Sequence, residues 1–266
     1  MFRALGKADP PEQVEIDGHP YRRVDILKHD SWAATALYQG PPGIVVAKFN
    51  RQQSVFGLPM KWLGRRLAQR ETRMLQRLAD LPNVPDYSGN LEIDGVSQLH
   101  AVTHDYVPGH PLERREPVND AFFSTLQQLI KDMHDRDLAY VDLSKRQNII
   151  VGDDGKPYLI DFQISLSLPD WWPGNGWPLR TVLRLLQAMD DYHVLKHYRD
   201  CRPDLLSPEQ LDLERYRPWT IRFGRRIGKP LREIRRRFLV FIGVRTGKGR
   251  AQSETAPEDA VRREMK

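Results

Sequence analysis

Three short β-prone runs open the ordered part of the chain: Tyr21 to Lys28, Ala33 to Tyr38 and Ile44 to Phe49, with Gly40-Pro-Pro-Gly43 turning between the second and third. The pattern then changes period. From Lys61 to Ala79 the residues Leu63, Leu67, Met74, Leu75 and Leu78 recur at helical spacing. Leu91 to Ile93 and Gln98 to Thr103 flank Asp94-Gly95 as a further hairpin. Asn119 to Arg136 reads as a helix with Asn119 as N-cap, burying Phe122, Phe123, Leu126, Leu129, Ile130 and Met133. Asn148 to Val151 and Tyr158 to Ile160 pair across Gly152-Asp-Asp-Gly155, and a last long helix runs from about Pro178 to His197. Asp9-Pro-Pro11 leaves residues 1–18 as a loose lead-in.

Two polar positions break this pattern in a way that calls for chemistry. Glu71 is the only acid between Lys61 and Ala79, and it falls on the apolar stripe of a helix whose other face is basic. A carboxylate on a buried face needs a cation. Lys48, closing the apolar strand Val45-Val-Ala-Lys48, is the expected partner. Further along, Asp142 and Asn148 lead into one apolar strand and Asp161 follows the next. Hard oxygen ligands so placed suit Mg²⁺ and the orientation of a hydroxyl for attack on a phosphate.

Composition narrows the setting. The 266 residues, 40% of them hydrophobic, suffice for one sizeable core or two lobes sharing a cleft. The single cysteine, Cys201, excludes an internal disulfide and any zinc site built on two cysteines. No secretory h-region or membrane span is expected, which predicts a cytoplasmic protein. The net charge of +6 is unevenly spread: Arg215 to Arg250 holds thirteen Lys and Arg against Glu233 alone. Bulky apolar residues interleave those cations, so 214–266 reads as a basic amphipathic tail facing anionic lipid, with a polar, disordered end. Nucleic acid is the competing partner and packing onto the rest of the chain a third.

Lys48, Glu71, Asp142 with Asn148, and Asp161 with Phe162 stand in the order, and on the element types, of the protein-kinase-like superfamily, which residues 20–200 resemble. Within it the Asp142-Leu-Ser and Ile-Asp161-Phe-Gln forms are most similar to small bacterial lipopolysaccharide core (Kdo/heptose) kinases, with RIO-like atypical protein kinases as neighbours. The resemblance implies an α+β fold of two lobes, a small β-rich N-lobe (19–104) and a reduced helical C-lobe (105–213). It implies ATP and Mg²⁺ as cofactors: Lys48, braced by Glu71, on the phosphates, Asn148 and Asp161 on the metal, and Asp142 on the acceptor hydroxyl. Main-chain groups of Asp105 and Val107 would read the adenine, with His104 behind it. The implied acceptor is a lipopolysaccharide-type core sugar or similar glycolipid at the cytoplasmic membrane face. A RIO-like protein Ser/Thr kinase and a nucleotide-binding pseudokinase scaffold remain the alternatives.

Departures from the family pattern are specific. His29-Asp-Ser-Trp-Ala-Ala34, where a glycine-rich phosphate loop belongs, has no glycine, which makes the Ser31 hydroxyl a candidate substitute. Tyr140-Val141 stands where His-Arg is usual, Gln163 replaces a glycine, and Asp142 and Asn148 are one residue further apart than usual, which calls for a looped-out residue between Ser144 and Gln147. Lys145 in that loop is a candidate for neutralising the transferring phosphate. No Ala-Pro-Glu anchor follows, so a long peptide-docking platform is not expected. Trp171, Trp172 and Trp177 are read as core plugs in preference to a sugar platform, and His193 with His197 as a structural pair in preference to a metal site.

Overall fold

The structure, a computed structural model, describes residues 3–54, 59–168 and 176–218. It is a mixed α+β fold. Its elements in chain order are β1 (Gln13–Ile16), β2 (His19–His29), β3 (Ala33–Gly40), β4 (Gly43–Asn50), α1 (Lys61–Arg77), β5 (Leu91–Ile93), β6 (Val96–Ser97), β7 (Ala101–Asp105), β8 (Gly109–Pro111), α2 (Phe122–Asp135) and β9 (Leu138–Ala139). Then follow β10 (Ile149–Gly152), β11 (Pro157–Leu159), β12 (Leu166–Ser167), α3 (Trp177–Cys201), α4 (Pro208–Leu211) and α5 (Leu213–Tyr216).

Seven of the strands form one antiparallel sheet in the order β6-β5-β1-β2-β3-β4-β7. One face of it is sealed by a core that includes Ile16, Ala34, Ala36, Tyr38, Ala47 and Phe49. The second core lies among α1, α2, β10 and β11, where Leu75, Phe123, Leu126, Met133, Ile149 and Phe162 meet. α1 packs on the sheet so closely that a side chain at Gly64 would meet the Arg51 carbonyl oxygen at 2.2 Å. Glycine is required there by that approach.

Several expected elements are redrawn. The lead-in contains β1, whose Val14 and Ile16 are buried in alternation and whose Asp17-Gly18 turn, with φ of 50° and 77°, closes a hairpin onto β2. Across Asp94-Gly95 the partner of β5 is β6, while β7 pairs with β4. Asn119 does not cap α2, which starts at Phe122; its side-chain amide donates instead to the Gly155 carbonyl at 2.6 Å. α3 extends to Cys201. Trp177 is 78% exposed at the start of α3 and plugs no core. Trp171, Trp172 and the tail from 219 onward lie outside the described residues. Among the described residues no helix is long and apolar enough to cross a membrane.

Candidate functional site

Strand alternation places Lys48 on the sheet face opposite Ala47 and Phe49, turned toward α1 and the 161–163 turn. Its ammonium lies 3.2 and 3.1 Å from the two carboxylate oxygens of Glu71 and 2.7 Å from Asp161 Oδ1. Lys48 is 9% exposed and Glu71 1%, so the expected pair is a buried one and Asp161 joins it as a third member. Burial disfavours the Lys48 cation, but the fields of Glu71 and Asp161 outweigh it and raise its pKa. Glu71 is raised because its burial exceeds the pull of Lys48; Asp161 resists its own burial and is lowered by Lys48. Asp161 is therefore the firmer anionic partner, in keeping with its shorter contact. The main-chain N–H of Phe162 acts in the same direction as Lys48, lowering the Glu71 pKa against its burial.

Asp142 sits on a separate loop, 7% exposed. Its Oδ2 accepts from Lys145 Nζ at 2.6 Å and from Asn148 Nδ2 at 3.1 Å. Between Asp142 and Asn148 the Lys145 N–H donates to the Asp142 carbonyl at 3.2 Å and the Asn148 N–H to the Lys145 carbonyl at 3.3 Å, and Arg146–Asn148 form a 3₁₀ turn that accommodates the longer spacing. The two loops are joined: Ile160 N–H donates to the Asn148 carbonyl at 3.1 Å, and the Tyr140 hydroxyl donates to the Ile160 carbonyl. The Tyr140 and Phe162 rings meet edge to face with centroids 5.3 Å apart. Tyr140 thus keeps an aromatic and hydrogen-bonding link between the loops.

Two residues that sequence reasoning missed hold this assembly, and a third adds to its charge balance. Asp190 of α3 accepts the main-chain N–H groups of Tyr140 and Val141. Arg70 of α1 donates twice to the Ser165 carbonyl, at 2.9 and 2.6 Å. Lys28, near the end of β2, contributes to lowering Asp161. Only the basic character of α1 gave any hint of Arg70. The other two depend on contacts far apart in sequence.

The remaining candidates are placed less centrally. Ser31 is exposed in the β2–β3 turn, where its carbonyl accepts from Arg51. Asp105 ends β7; its N–H donates to the Asp86 carbonyl at 2.9 Å and its carboxylate accepts from Ser88. Val107 follows, half-buried, between Tyr106, whose N–H donates to Ile44, and Pro108, whose carbonyl accepts from Asp153. His104 is buried at the edge of the Lys48 site, and its pKa is lowered by that burial. His197 Nε2 bonds the Leu143 carbonyl at 2.7 Å, a structural contact behind the Asp142 loop. No group of three or more His, Cys, Asp or Glu side chains able to hold a metal occurs among the described residues.

The donor set still fits one cation type. Asp161 keeps Oδ2 beyond its Oδ1 bond to Lys48, and Asn148, donating through Nδ2, keeps its amide oxygen as an acceptor. Mg²⁺ is commonly held by one or two protein oxygens, with phosphates and water completing its shell. A cavity of about 640 Å³ lies elsewhere, between the start of α2 and the β10–β11 turn, lined by Asn83, Asn119, Phe122 and Lys156 among others. It shares no residue with the Lys48–Asp161 cluster, and the chemistry of the cluster outweighs it as the candidate site. No family model matches the chain, and no curated protein matches it.

Proposed function

We propose that this protein is an ATP-dependent phosphotransferase of two-lobed, protein-kinase-like architecture that transfers the γ-phosphoryl group to a hydroxyl. The reading is carried by one observation: Lys48 lies between Glu71 and Asp161 while Asp142 and Asn148 bond each other on the adjoining loop. Lys48 would hold the phosphates, its charge secured by two carboxylates. Asp142 would orient the acceptor hydroxyl and take its proton, and Lys145 beside it would offset charge on the phosphoryl group in transfer. Asn148 and Asp161 would hold Mg²⁺, which would supply positive charge to offset that of the phosphates.

The acceptor we favour is a core sugar or similar glycolipid hydroxyl at a membrane face. Support comes from the sequence between Asp161 and the start of α3 at Trp177, which is short and carries no Ala-Pro-Glu anchor for a peptide platform. Peripheral contact with anionic lipid is the expectation for the tail, which from 219 onward lies outside the described residues. Among those described, α1 supports it: Lys61, Arg65, Arg66 and Arg73 are exposed on a helix side with no acid, beside Trp62 at 60% exposure.

One observation favours the scaffold reading. In the β2–β3 turn the Asp30 carboxylate accepts from the N–H groups of Trp32 and Ala33, donors that a phosphate-covering loop would offer to nucleotide. The test is γ-labelled ATP incubated with the protein and host membrane and soluble extracts, beside Asp142→Asn. Label in the glycolipid fraction with the unmodified protein alone is the expected result. Label in protein promotes the RIO-like reading, and intact ATP binding with no transfer promotes the scaffold.

A further inference from the structure

The row of side chains that carries Lys48 continues across the sheet. Thr35 of β3 is the register partner of Lys48, and Lys28 of β2 is the register partner of Thr35. Directly opposed residues on antiparallel strands send their side chains to the same face. A register shift between Ile26 and Lys28 turns Lys28 away from the core that Ile26 packs against, and the residues alternating with Thr35 and Lys48 confirm the face: Ala34, Ala36, Ala47 and Phe49 all belong to the core on the other side. Lys28, Thr35 and Lys48 therefore line the face that meets Asp161. Neighbouring strands lie about 4.8 Å apart, so the two lysine stems rise roughly 10 Å apart with a hydroxyl between them.

This row lies where the turn above it has little to offer an anion. The Trp32 and Ala33 N–H groups donate to Asp30 Oδ1 at 2.7 and 2.9 Å, so the turn's own carboxylate occupies them. Lys28 Nζ rests 2.9 Å from Asp30 Oδ2, with side-chain exposures of 36% and 35%. A pair that open to solvent is weak and readily exchanged. The contribution of Lys28 to lowering Asp161 is consistent with its charge reaching the site.

We propose that Lys28 and Thr35, together with Lys48, form a side-chain cradle for a polyphosphate chain, in place of the backbone cradle that a glycine-rich turn would provide. The assignment of that chain to a nucleotide rests on the function proposed above. On binding, Lys28 exchanges Asp30 for phosphate and the Thr35 hydroxyl donates between the lysines. Asp30 is then a competing anion: removing it strengthens binding, whereas removing Lys28 weakens it.

Calorimetric titration of the full chain with ATP, adenosine and inorganic tripolyphosphate tests this. Lys28→Met is expected to weaken ATP and tripolyphosphate binding about tenfold or more, the scale of one charge-assisted hydrogen bond. Adenosine binding is expected to stay unchanged, and Asp30→Ala to shift ATP affinity the opposite way. Lys28-dependent binding of tripolyphosphate with no binding of ATP or adenosine would uphold the cradle and remove the nucleotide reading. ATP affinity within twofold in Lys28→Met, an equal loss for adenosine, or no binding of tripolyphosphate or ATP by the unmodified chain would overturn the cradle.

Discussion

The carboxylate of Asp190 accepts the main-chain N–H groups of Tyr140 at 2.7 Å and of Val141 at 2.8 Å. Val141 has φ of 75°, a region that a β-branched residue rarely adopts. Such a conformation costs about 1–3 kcal/mol and persists only where the surroundings enforce it. Asp190, fully buried, is that enforcement, and the loop it fixes presents Asp142. Asp190→Asn replaces one acceptor by an amide that faces an N–H. The expected loss is about 2–4 kcal/mol of unfolding free energy, read from urea denaturation. A loss below about 0.5 kcal/mol would show that the loop holds its shape without the clamp.

Lys48→Met and Glu71→Gln separate the members of the buried cluster. The first leaves two carboxylates facing each other without their cation, and about 3–5 kcal/mol of destabilisation is expected. The second leaves Lys48 still paired with Asp161 at 2.7 Å, so its cost is expected to be clearly smaller. Thermal unfolding of both variants checks the order. Equal costs would mean that Asp161 does not hold Lys48 in solution.

Gly64→Ala should act against helix propensity. In an open helix that change stabilises by about 1 kcal/mol. Here the added carbon would fall 2.2 Å from the Arg51 carbonyl oxygen, so α1 must move from the sheet and carry Glu71 with it. A lower melting temperature is expected; a higher one would refute the close packing of α1.

Stability should fall as the solution is acidified from about pH 6.5 to 4. Burial pushes the His100, His193 and His197 rings down to about 4 from an ordinary 6.5. Between those values the unfolded chain binds more protons than the folded one, so stability rises with pH across the window and is fully present above it. For His197, 1% exposed, the share lost between pH 7 and 5 is about 2 kcal/mol. His197→Gln keeps a donor for Leu143 and removes the titration. Urea unfolding at both pH values should show that share missing in the variant; an unchanged pH dependence would place the proton uptake elsewhere.

Much of the site was legible because its signals are local. A lone acid on an apolar stripe and a lysine closing an apolar strand were enough to anticipate Lys48 with Glu71, at 3.1–3.2 Å in the structure. Asp-Gly between β-prone runs is equally informative, yet Asp17-Gly18 carries the same signal and is masked by the prolines before β1, whose local effect is a loose segment. Asp190 gave no warning. Its partners are main-chain N–H groups about fifty residues upstream, and main-chain groups leave no mark in composition or periodicity.

By itself the sequence determined the type and extent of most elements, since side-chain period and turn chemistry act over a few neighbouring residues. It also supplied the polar residues that no apolar core would accept without partners. Tertiary structure alone decided that Asp161 would share Lys48 with Glu71, that β7 rather than β6 would flank β4, and that Lys28 and Thr35 would stand in register with Lys48. Register and long-range pairing are set by which faces bury together, and many pairings satisfy the same local pattern. Only the assembled cores select one.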